Sequence, residues 1–155
     1  MLFRSSLLAL TRQNLPPLRH DVTKNLCLKG GYRLRTASAA RKVVLVATGS
    51  EVSLAIEVAE KLEAAGHGAD VVSMVSTELF DEQDAAYQAD ILPDDALLVS
   101  IEAGTTFGWE RYTGRHGLRF GIDSFGASAP IEDLFKHFGL TADAITPQIL
   151  DRLGA

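Results

Sequence analysis

Short runs of apolar, mainly β-branched residues alternate with helical patterns along this chain, and no other feature constrains its fold as strongly. The run 43–47 is typical of a strand that is covered on both faces. Two further strands are predicted at 70–75 and 97–101, and a helical pattern follows each of the three. Strands that alternate with helices predict a three-layer α/β domain with a mostly parallel sheet and helices on both faces.

Weaker patterns complete the predicted order of elements. Alternation over residues 32–35 predicts a short edge strand, and residues 120–122 predict a final one. Apolar positions at helical spacing predict helices at 52–62, 81–91, 108–115, 131–138 and 141–153. The acidic stretch 81–91 is predicted to be one continuous helix that ends before Pro93.

The net charge of −5 hides a sharp asymmetry between the two ends of the chain. Residues 1–42 carry nine Lys or Arg and one acid, whereas the remaining residues carry six basic and nineteen acidic groups. The basic charges are dispersed and no aromatic residues interleave with them, which does not favour a nucleic-acid interface. The acidic part would also repel a phosphate backbone. We therefore expect no nucleic-acid partner.

Cysteine content and hydropathy restrict the compartment. The longest apolar runs fall far short of the roughly 20 residues that a membrane span needs. The single cysteine, Cys27, cannot form an internal disulfide or hold zinc alone, which favours a reducing compartment. We therefore expect a cytoplasmic protein with no membrane partner.

The first residues have two interpretations. Residues 1–10 contain a basic residue, hydroxyls and apolar residues but no acid, as mitochondrial presequences do. Alternatively, residues 7–11 are a buried strand whose sheet lies in a longer protein, and we favour this interpretation. Pro16 and Pro17 end that strand because proline lacks a ladder donor. The domain boundary is predicted in the linker that follows.

The turn Thr48-Gly49-Ser50 lies between a predicted strand and a predicted helix, and it also has two interpretations. The spacing from Thr48 to Glu51 matches a capping box. The backbone donors of a helix N-terminus could instead hold an anion. The sequence matches neither a GxGxxG nor a Walker motif, so simple capping is the favoured interpretation.

Other candidate chemistry is sparse. Glu102 and Asp123 lie near predicted strand ends and could form an acid–base pair, but capping of the glycine-rich loops is favoured. The four histidines lack ligand spacing, so no metal site is predicted. No nucleophile elbow is present, and no catalytic residue is assigned. The glycine-rich loops are expected to pack under their aromatic residues, Phe107, Trp109 and Phe125.

Several stretches together resemble the C-terminal part of transketolase. They are residues 10–16 (LTRQNLP), 30–32 (GGY), 47–55 (ATGSEVSLA), 102–104 (EAG), 107–109 (FGW), 121–123 (GID), 125–130 (FGASAP) and 137–139 (HFG). They occur in the family's order and cover nearly the whole chain after residue 6, so the resemblance is specific.

The resemblance implies a division of the chain into three parts. Residues 1–16 would be a remnant of the middle, pyrimidine-binding domain, 17–30 a linker, and 31–155 the transketolase C-terminal domain. The complete enzyme uses thiamine diphosphate and a divalent metal, magnesium or calcium, which the two preceding domains hold. The resemblance therefore implies that this chain binds no cofactor by itself.

The resemblance also implies a function. Transketolases of the pentose phosphate pathway transfer a two-carbon ketol unit from a ketose phosphate to an aldose phosphate. This chain would be a C-terminal fragment of such an enzyme, inactive alone, with the missing domains, a second subunit and sugar phosphates as partners. Arg12 would bind the substrate phosphate, and Thr11 stands where many relatives have serine. The alternative is a non-catalytic binding or dimer-assembly module of the same fold.

Overall fold

We describe a computed structural model of the chain, which covers residues 10–11 and 13–154. Within these residues, five strands form one sheet in the order β1-β3-β2-β4-β5. The strands are β1 Gly31–Arg35, β2 Arg41–Ala47, β3 Gly68–Met74, β4 Leu97–Ile101 and β5 Leu118–Phe120. β1 runs antiparallel to β3, and the other neighbouring strands are parallel. The predicted mostly parallel sheet is confirmed.

Helices cover both faces of the sheet, which confirms the three-layer architecture. They are α1 Glu51–Ala64, α2 Thr77–Asp81, α3 Ala85–Ile91, α4 Glu110–Thr113, α5 Ile131–His137 and α6 Ala142–Leu153, and a 3₁₀ turn at Leu26–Lys29 precedes β1. One apolar cluster joins the sheet to α1, α5 and α6. A second cluster joins the opposite face to α2, α3 and α4.

The central strand β2 shows why a continuous apolar run is needed here. Successive side chains of a strand point to opposite faces. Val43 and Leu45 accordingly belong to the cluster with α1, whereas Val44 and Val46 belong to the other cluster. All four are fully buried. A polar residue at any of these positions would lie inside a helix–sheet layer without water.

The prediction of one helix at 81–91 is wrong, because α2 ends at Asp81 and α3 begins only at Ala85. Asp84 is the N-cap of α3, and its carboxylate accepts a hydrogen bond from the Tyr87 amide at 2.9 Å. The Gln88 side chain donates to the carbonyls of Phe80 and Gln83, at 3.2 and 3.0 Å. These side-chain bonds satisfy the backbone groups that the helix break leaves open.

The last predicted strand is displaced by two residues, since β5 spans Leu118–Phe120 instead of 120–122. Beyond Phe120 the chain leaves the ladder, and the Ile122 amide donates to the Gly104 carbonyl at 2.7 Å. Helix α4 is shorter than predicted because Gly114, with a φ of 67°, ends it. The strand predicted at 7–11 lies mostly outside the described residues, and Leu10 and Thr11 are not in a strand.

Among residues 10–11 and 13–154, none of the helices has the length and apolar character that crossing a bilayer requires.

Candidate functional site

The carboxyl ends of β2 and β4 lie side by side at the centre of the sheet, and we call the space beyond them the crevice. The chain after β2 enters α1 on one face, and the chain after β4 passes to α4 on the other face. Adjacent parallel strands whose connections diverge in this way create a topological switch point, where open α/β sheets place their ligands. The residues around this crevice are therefore the candidate site.

The turn Thr48-Gly49-Ser50 follows β2 directly and forms one wall of the crevice. Ser50 is the N-cap of α1, in helical conformation and without a side-chain capping bond. The Thr48 hydroxyl donates to Oε2 of Glu102, and the Thr48 carbonyl accepts from the Glu51 amide at 3.0 Å. The predicted capping box is wrong because the Thr48 side chain points across the crevice instead of back to its own helix.

Two carboxylates lie at this turn. Glu51 is only 5% exposed, and its Oε1 accepts from the Ser50 hydroxyl at 2.8 Å. Burial raises the pKa of Glu102, and repulsion by Glu51 raises that pKa further, against the opposing effect of the Thr48 hydrogen bond. Negative charge beside a helix N-terminus disfavours a second anion there. Anion binding by Thr48, Gly49 and Ser50 stays a prediction, and these neighbours oppose it.

The loops after β4 and β5 are joined by Asp123. Its carboxylate accepts from the Thr106 hydroxyl and amide at 2.7 and 2.8 Å and from the Thr105 hydroxyl at 2.9 Å. The Thr106 and Thr105 hydrogen bonds lower the pKa of Asp123. Glu102 and Asp123 thus bond to different threonines. The favoured interpretation of these carboxylates was that they cap the glycine-rich loops, and for Asp123 this is confirmed.

A close backbone approach fixes these two loops side by side. A Cβ on Gly121 would lie 2.7 Å from the Gly104 carbonyl oxygen, so only glycine fits at position 121 without displacing the neighbouring loop. Of the three aromatic residues under which the loops are expected to pack, only Trp109 packs against the domain, 5.8 Å from the Tyr112 ring. Phe107 is 87% exposed and Phe125 is 100% exposed, so their expected packing is wrong.

The predicted phosphate ligand, Arg12, lies outside the described residues, so its role stays a prediction. Within the part of the chain that the structure describes, no group of three or more His, Cys, Asp or Glu could hold a metal ion. The His, Cys, Asp and Glu side chains of the described residues therefore do not fit a metal ion with a bound diphosphate. No chemical step is assigned through a metal or a diphosphate in this chain.

Sequence reasoning missed one buried charge, Asp70 on β3. Its side chain is 3% exposed and lies 2.8 Å from Nε of Arg33 and 3.7 Å from the Arg41 guanidinium. The Ala37 amide donates to its other oxygen at 2.8 Å. An acid within an apolar strand is the signal that could have revealed it. The contacts of Asp70 link β1, β2 and β3, so it supports the sheet and not the crevice.

The strand order, the antiparallel edge strand and the central crevice define a doubly wound, three-layer α/β domain. Residues 30–141 match the family model of the transketolase-like C-terminal domain. The chain belongs to the transketolase family, and the match is to its C-terminal domain.

Relatives of known identity agree with this assignment. The chain is 50% identical over 135 residues to the plasmid transketolase of Cupriavidus necator, covering 86% of this chain and 20% of that protein. It is 46% identical over 143 residues to the chloroplastic transketolase of Solanum tuberosum, covering 90% and 19%. A crystal structure of a transketolase variant from Pichia stipitis superposes with a TM-score of 0.83, at 36% identity, over 92% of this chain and 20% of that one. The chain thus spans about a fifth of these relatives' length.

Proposed function

We propose that this chain is the C-terminal part of a transketolase that transfers a two-carbon ketol unit from a ketose phosphate to an aldose phosphate. The observation that carries the proposal is the agreement of sequence and structure over nearly the whole chain, at 50% identity to one transketolase and a TM-score of 0.83 to another. The proposed reaction belongs to the pentose phosphate pathway, and the proposed location is the cytoplasm.

In this proposal the chain divides as the resemblance implies. Residues 1–16 end the middle domain, 17–30 form the linker, and 31–155 are the C-terminal domain. Arg12 binds the phosphate of the sugar substrate, because a planar guanidinium can donate two parallel hydrogen bonds to phosphate oxygens. The preceding domains hold thiamine diphosphate with magnesium or calcium, and the complete enzyme is a homodimer that acts on sugar phosphates.

The described residues support a non-catalytic role for the C-terminal domain itself. The central crevice is bordered by Glu51, a nearly buried carboxylate at the N-terminus of α1, whose negative charge opposes entry of a sugar phosphate. The electron sink of ketol transfer is the thiamine cofactor, and the protein's share is to bind and orient it. We therefore expect the isolated chain to show no ketol transfer when thiamine diphosphate and magnesium are added.

A chimera tests the proposed function directly. The part of the Cupriavidus necator enzyme that matches this chain is replaced by this chain, and ketol transfer is assayed beside the parent enzyme and the isolated chain. We expect the chimera to retain activity within about tenfold of the parent, a change of about 1.4 kcal/mol in the barrier. An inactive but folded and cofactor-loaded chimera would favour the non-catalytic module instead. Turnover by the isolated chain would contradict the assignment of the cofactor to the preceding domains.

A further inference from the structure

A cavity lies on the face of the sheet opposite α1, among α2, α3, α4 and β4. Its volume is about 370 Å³, which is within the size range of small-molecule sites. The residues that line it are different from Thr48, Glu51 and Glu102 of the crevice. The cavity is therefore a second place where this domain can hold a ligand.

The apolar part of the cavity is built on two aromatic rings. The rings of Phe80 and Tyr112 lie 6.2 Å apart with their planes inclined by 60°. Phe80 is only 2% exposed, so its ring is a fixed wall. Leu92 and Leu98 line the cavity as well. Walls of this kind hold flat apolar groups, and the faces of aromatic rings attract cations.

The polar part of the cavity is built on Asp81, at the end of α2. The Tyr112 hydroxyl donates to its carboxylate, 3.2 Å from each oxygen, and the Arg111 guanidinium lies 2.9 Å from Oδ2. Burial raises the pKa of Tyr112, and the charge of Asp81 raises that pKa further. The hydroxyl therefore stays protonated at neutral pH and continues to orient Asp81.

Hydrogen-bond acceptors dominate the rest of the lining. The Gln88 side-chain nitrogen donates to three backbone carbonyls between residues 80 and 83, which leaves its oxygen as an acceptor. Among the described residues, the Asp94 carboxylate has no hydrogen-bond or ion-pair partner. Residues 78–95 carry seven Asp or Glu and no Lys or Arg. This lining favours a ligand that donates hydrogen bonds and carries positive charge.

Arg111 shows how a cation is held at this cavity. Its guanidinium pairs with Asp81 and lies 5.9 Å from the centre of the Tyr112 ring, between a carboxylate and an aromatic face. The Arg111 side chain is 67% exposed, and exposed ion pairs contribute little free energy. A cation whose apolar body also fills the cavity can therefore displace it.

We propose that this cavity binds a small molecule with a flat apolar body and one positively charged nitrogen group, of which an aryl amidine is the simplest case. The charged group pairs with Asp81 in place of Arg111, and the flat body lies against Phe80 and Leu98. The site is independent of the proposed function, because none of these residues has a role assigned in ketol transfer.

Three ligands that share one ring test the proposed charge preference. The isotope-labelled full chain is titrated with benzamidine, neutral benzamide or anionic benzoate, and the backbone amides are followed by NMR. We expect benzamidine to shift amides within residues 80–92 and 111–114, with a dissociation constant of about 1 mM, as suits a ligand of this size. Benzamide should bind at least about tenfold more weakly and benzoate more weakly still. Absence of these shifts at about 10 mM benzamidine, or equal affinity for benzamide, would overturn the inference.

Two variants then test the residues that hold the charge. Asp81→Asn should weaken benzamidine binding at least about tenfold, because the charged acceptor is lost. Arg111→Ala removes the competing cation and should strengthen binding about two- to fivefold, the strength of an exposed pair. A merely structural role for these residues would weaken binding in both variants.

Matched controls remove the same charges outside the lining. Asp95→Asn changes an acid of the same acidic stretch whose side chain is 77% exposed, and Arg115→Ala changes an exposed arginine close to α4. Both should bind benzamidine as the unmodified chain does, and urea unfolding checks that every variant folds. Unchanged affinity of Asp81→Asn, or weaker binding by Arg111→Ala, would refute the proposed site. If Asp81→Asn does not fold, the three ligands and Arg111→Ala decide the outcome.

Discussion

At the residue scale, two carboxylates on the same sheet edge differ because their neighbours differ. Asp123 is exposed and accepts three hydrogen bonds from two threonines, which favours its charged form. Glu102 is partly buried next to Glu51 and accepts one hydrogen bond from Thr48, and burial favours its neutral form. Asp123 and Glu102 carry the same acidic group. Solvent access and the number of hydrogen-bond donors therefore decide which of the two favours its charged form.

The raised pKa of Glu102 predicts a specific dependence of stability on pH. The folded chain keeps this proton at pH values where the unfolded chain, near its ordinary value of 4.5, has lost it. The unfolding free energy that Glu102 contributes therefore falls as pH rises from about 4.5 through the raised pKa, and is constant above it. Glu102→Gln stays neutral and keeps an oxygen for the Thr48 hydroxyl. We expect this variant to match the parent near pH 4 and to exceed its stability at pH 7, in urea unfolding at both pH values.

Glu60→Gln removes one exposed carboxylate from α1 and is the control for the change in net charge. A stability difference between Glu102→Gln and the parent that is the same at both pH values would contradict the assigned cause.

Arg12 is the residue on which the proposed recognition of the substrate depends. In the active chimera, Arg12→Ala should lower kcat/KM for phosphorylated sugars about 10- to 150-fold, the effect of losing about 1.5–3 kcal/mol of charged hydrogen bonding. Much of the loss should appear in KM, because the phosphate is remote from the bond that breaks. Arg12→Lys should recover only part of it.

A ketose substrate without phosphate is the control for Arg12. The Arg12→Ala variant should use it nearly as well as the parent chimera does. Equal losses with and without the phosphate would mean that Arg12 supports the fold instead of binding the substrate.

At the element scale, the helices of this domain begin in two different ways. Thr141 precedes α6 in extended conformation, and its hydroxyl accepts from the Ala144 amide at 3.2 Å. Ser76 and Asp84 cap α2 and α3 in the same manner. Helix α1 lacks such a side-chain cap, because its N-terminal turn is built into the crevice and Thr48 bonds to Glu102 instead. Its first amides rely on backbone carbonyls.

This contrast predicts different costs for two substitutions at helix N-caps. Thr141→Ala removes a real capping bond and should lower the unfolding free energy by about 1 kcal/mol. Ser50→Ala removes no capping bond; measured in a Glu51→Ala background, where the Ser50 hydroxyl has no carboxylate to bond, it should change the unfolding free energy by less than about 0.5 kcal/mol. Both values are accessible by urea unfolding of the full chain. Equal costs would show that Ser50 caps α1 in solution.

At the scale of the whole molecule, Asp70 links parts of the chain that are far apart in sequence. It accepts from the Ala37 amide in the turn before β2, and pairs with Arg33 on β1 and Arg41 on β2. Arg33 also reaches Asp90 on α3, at 3.4 Å. The antiparallel edge strand β1 is thereby tied to the parallel body of the sheet by charge as well as by its ladder with β3.

Asp70→Asn should destabilise the domain by about 3 kcal/mol, since removing one partner of a buried pair leaves the other charge uncompensated. Asp95→Asn is the matched control: Asp95 pairs with Arg41 at 2.9 Å but its side chain is 77% exposed. Its loss should cost less than about 1 kcal/mol, because water screens exposed pairs. Similar costs for both variants, measured by urea unfolding, would refute a structural role for the buried charge.

The sequence by itself determined the layers of this protein. The runs in β2, β3 and β4 are too apolar to face water, and the helical spacing of α1 and α6 leaves one face that must be buried. These local signals predict the strands, the helices and the three-layer class, and the ordered motifs are sufficient to recognise the family. A glycine just after a helix C-cap, as at Gly66 with a φ of 87°, is equally local and was predictable.

Only the tertiary structure decided which polar groups meet. Thr48 bonds to Glu102 although 54 residues separate them, and Asp70 meets Arg33 across a strand pairing that no local pattern encodes. The same reason explains the broken helix at 81–91, where Gln88 reaches back to carbonyls on α2. It also explains the exposure of Phe107 and Phe125, under which the sequence predicted that the loops pack. Hydrophobic periodicity reports how much of an element is covered, whereas the partner of each side chain depends on how the elements pack, and that is set by the fold as a whole.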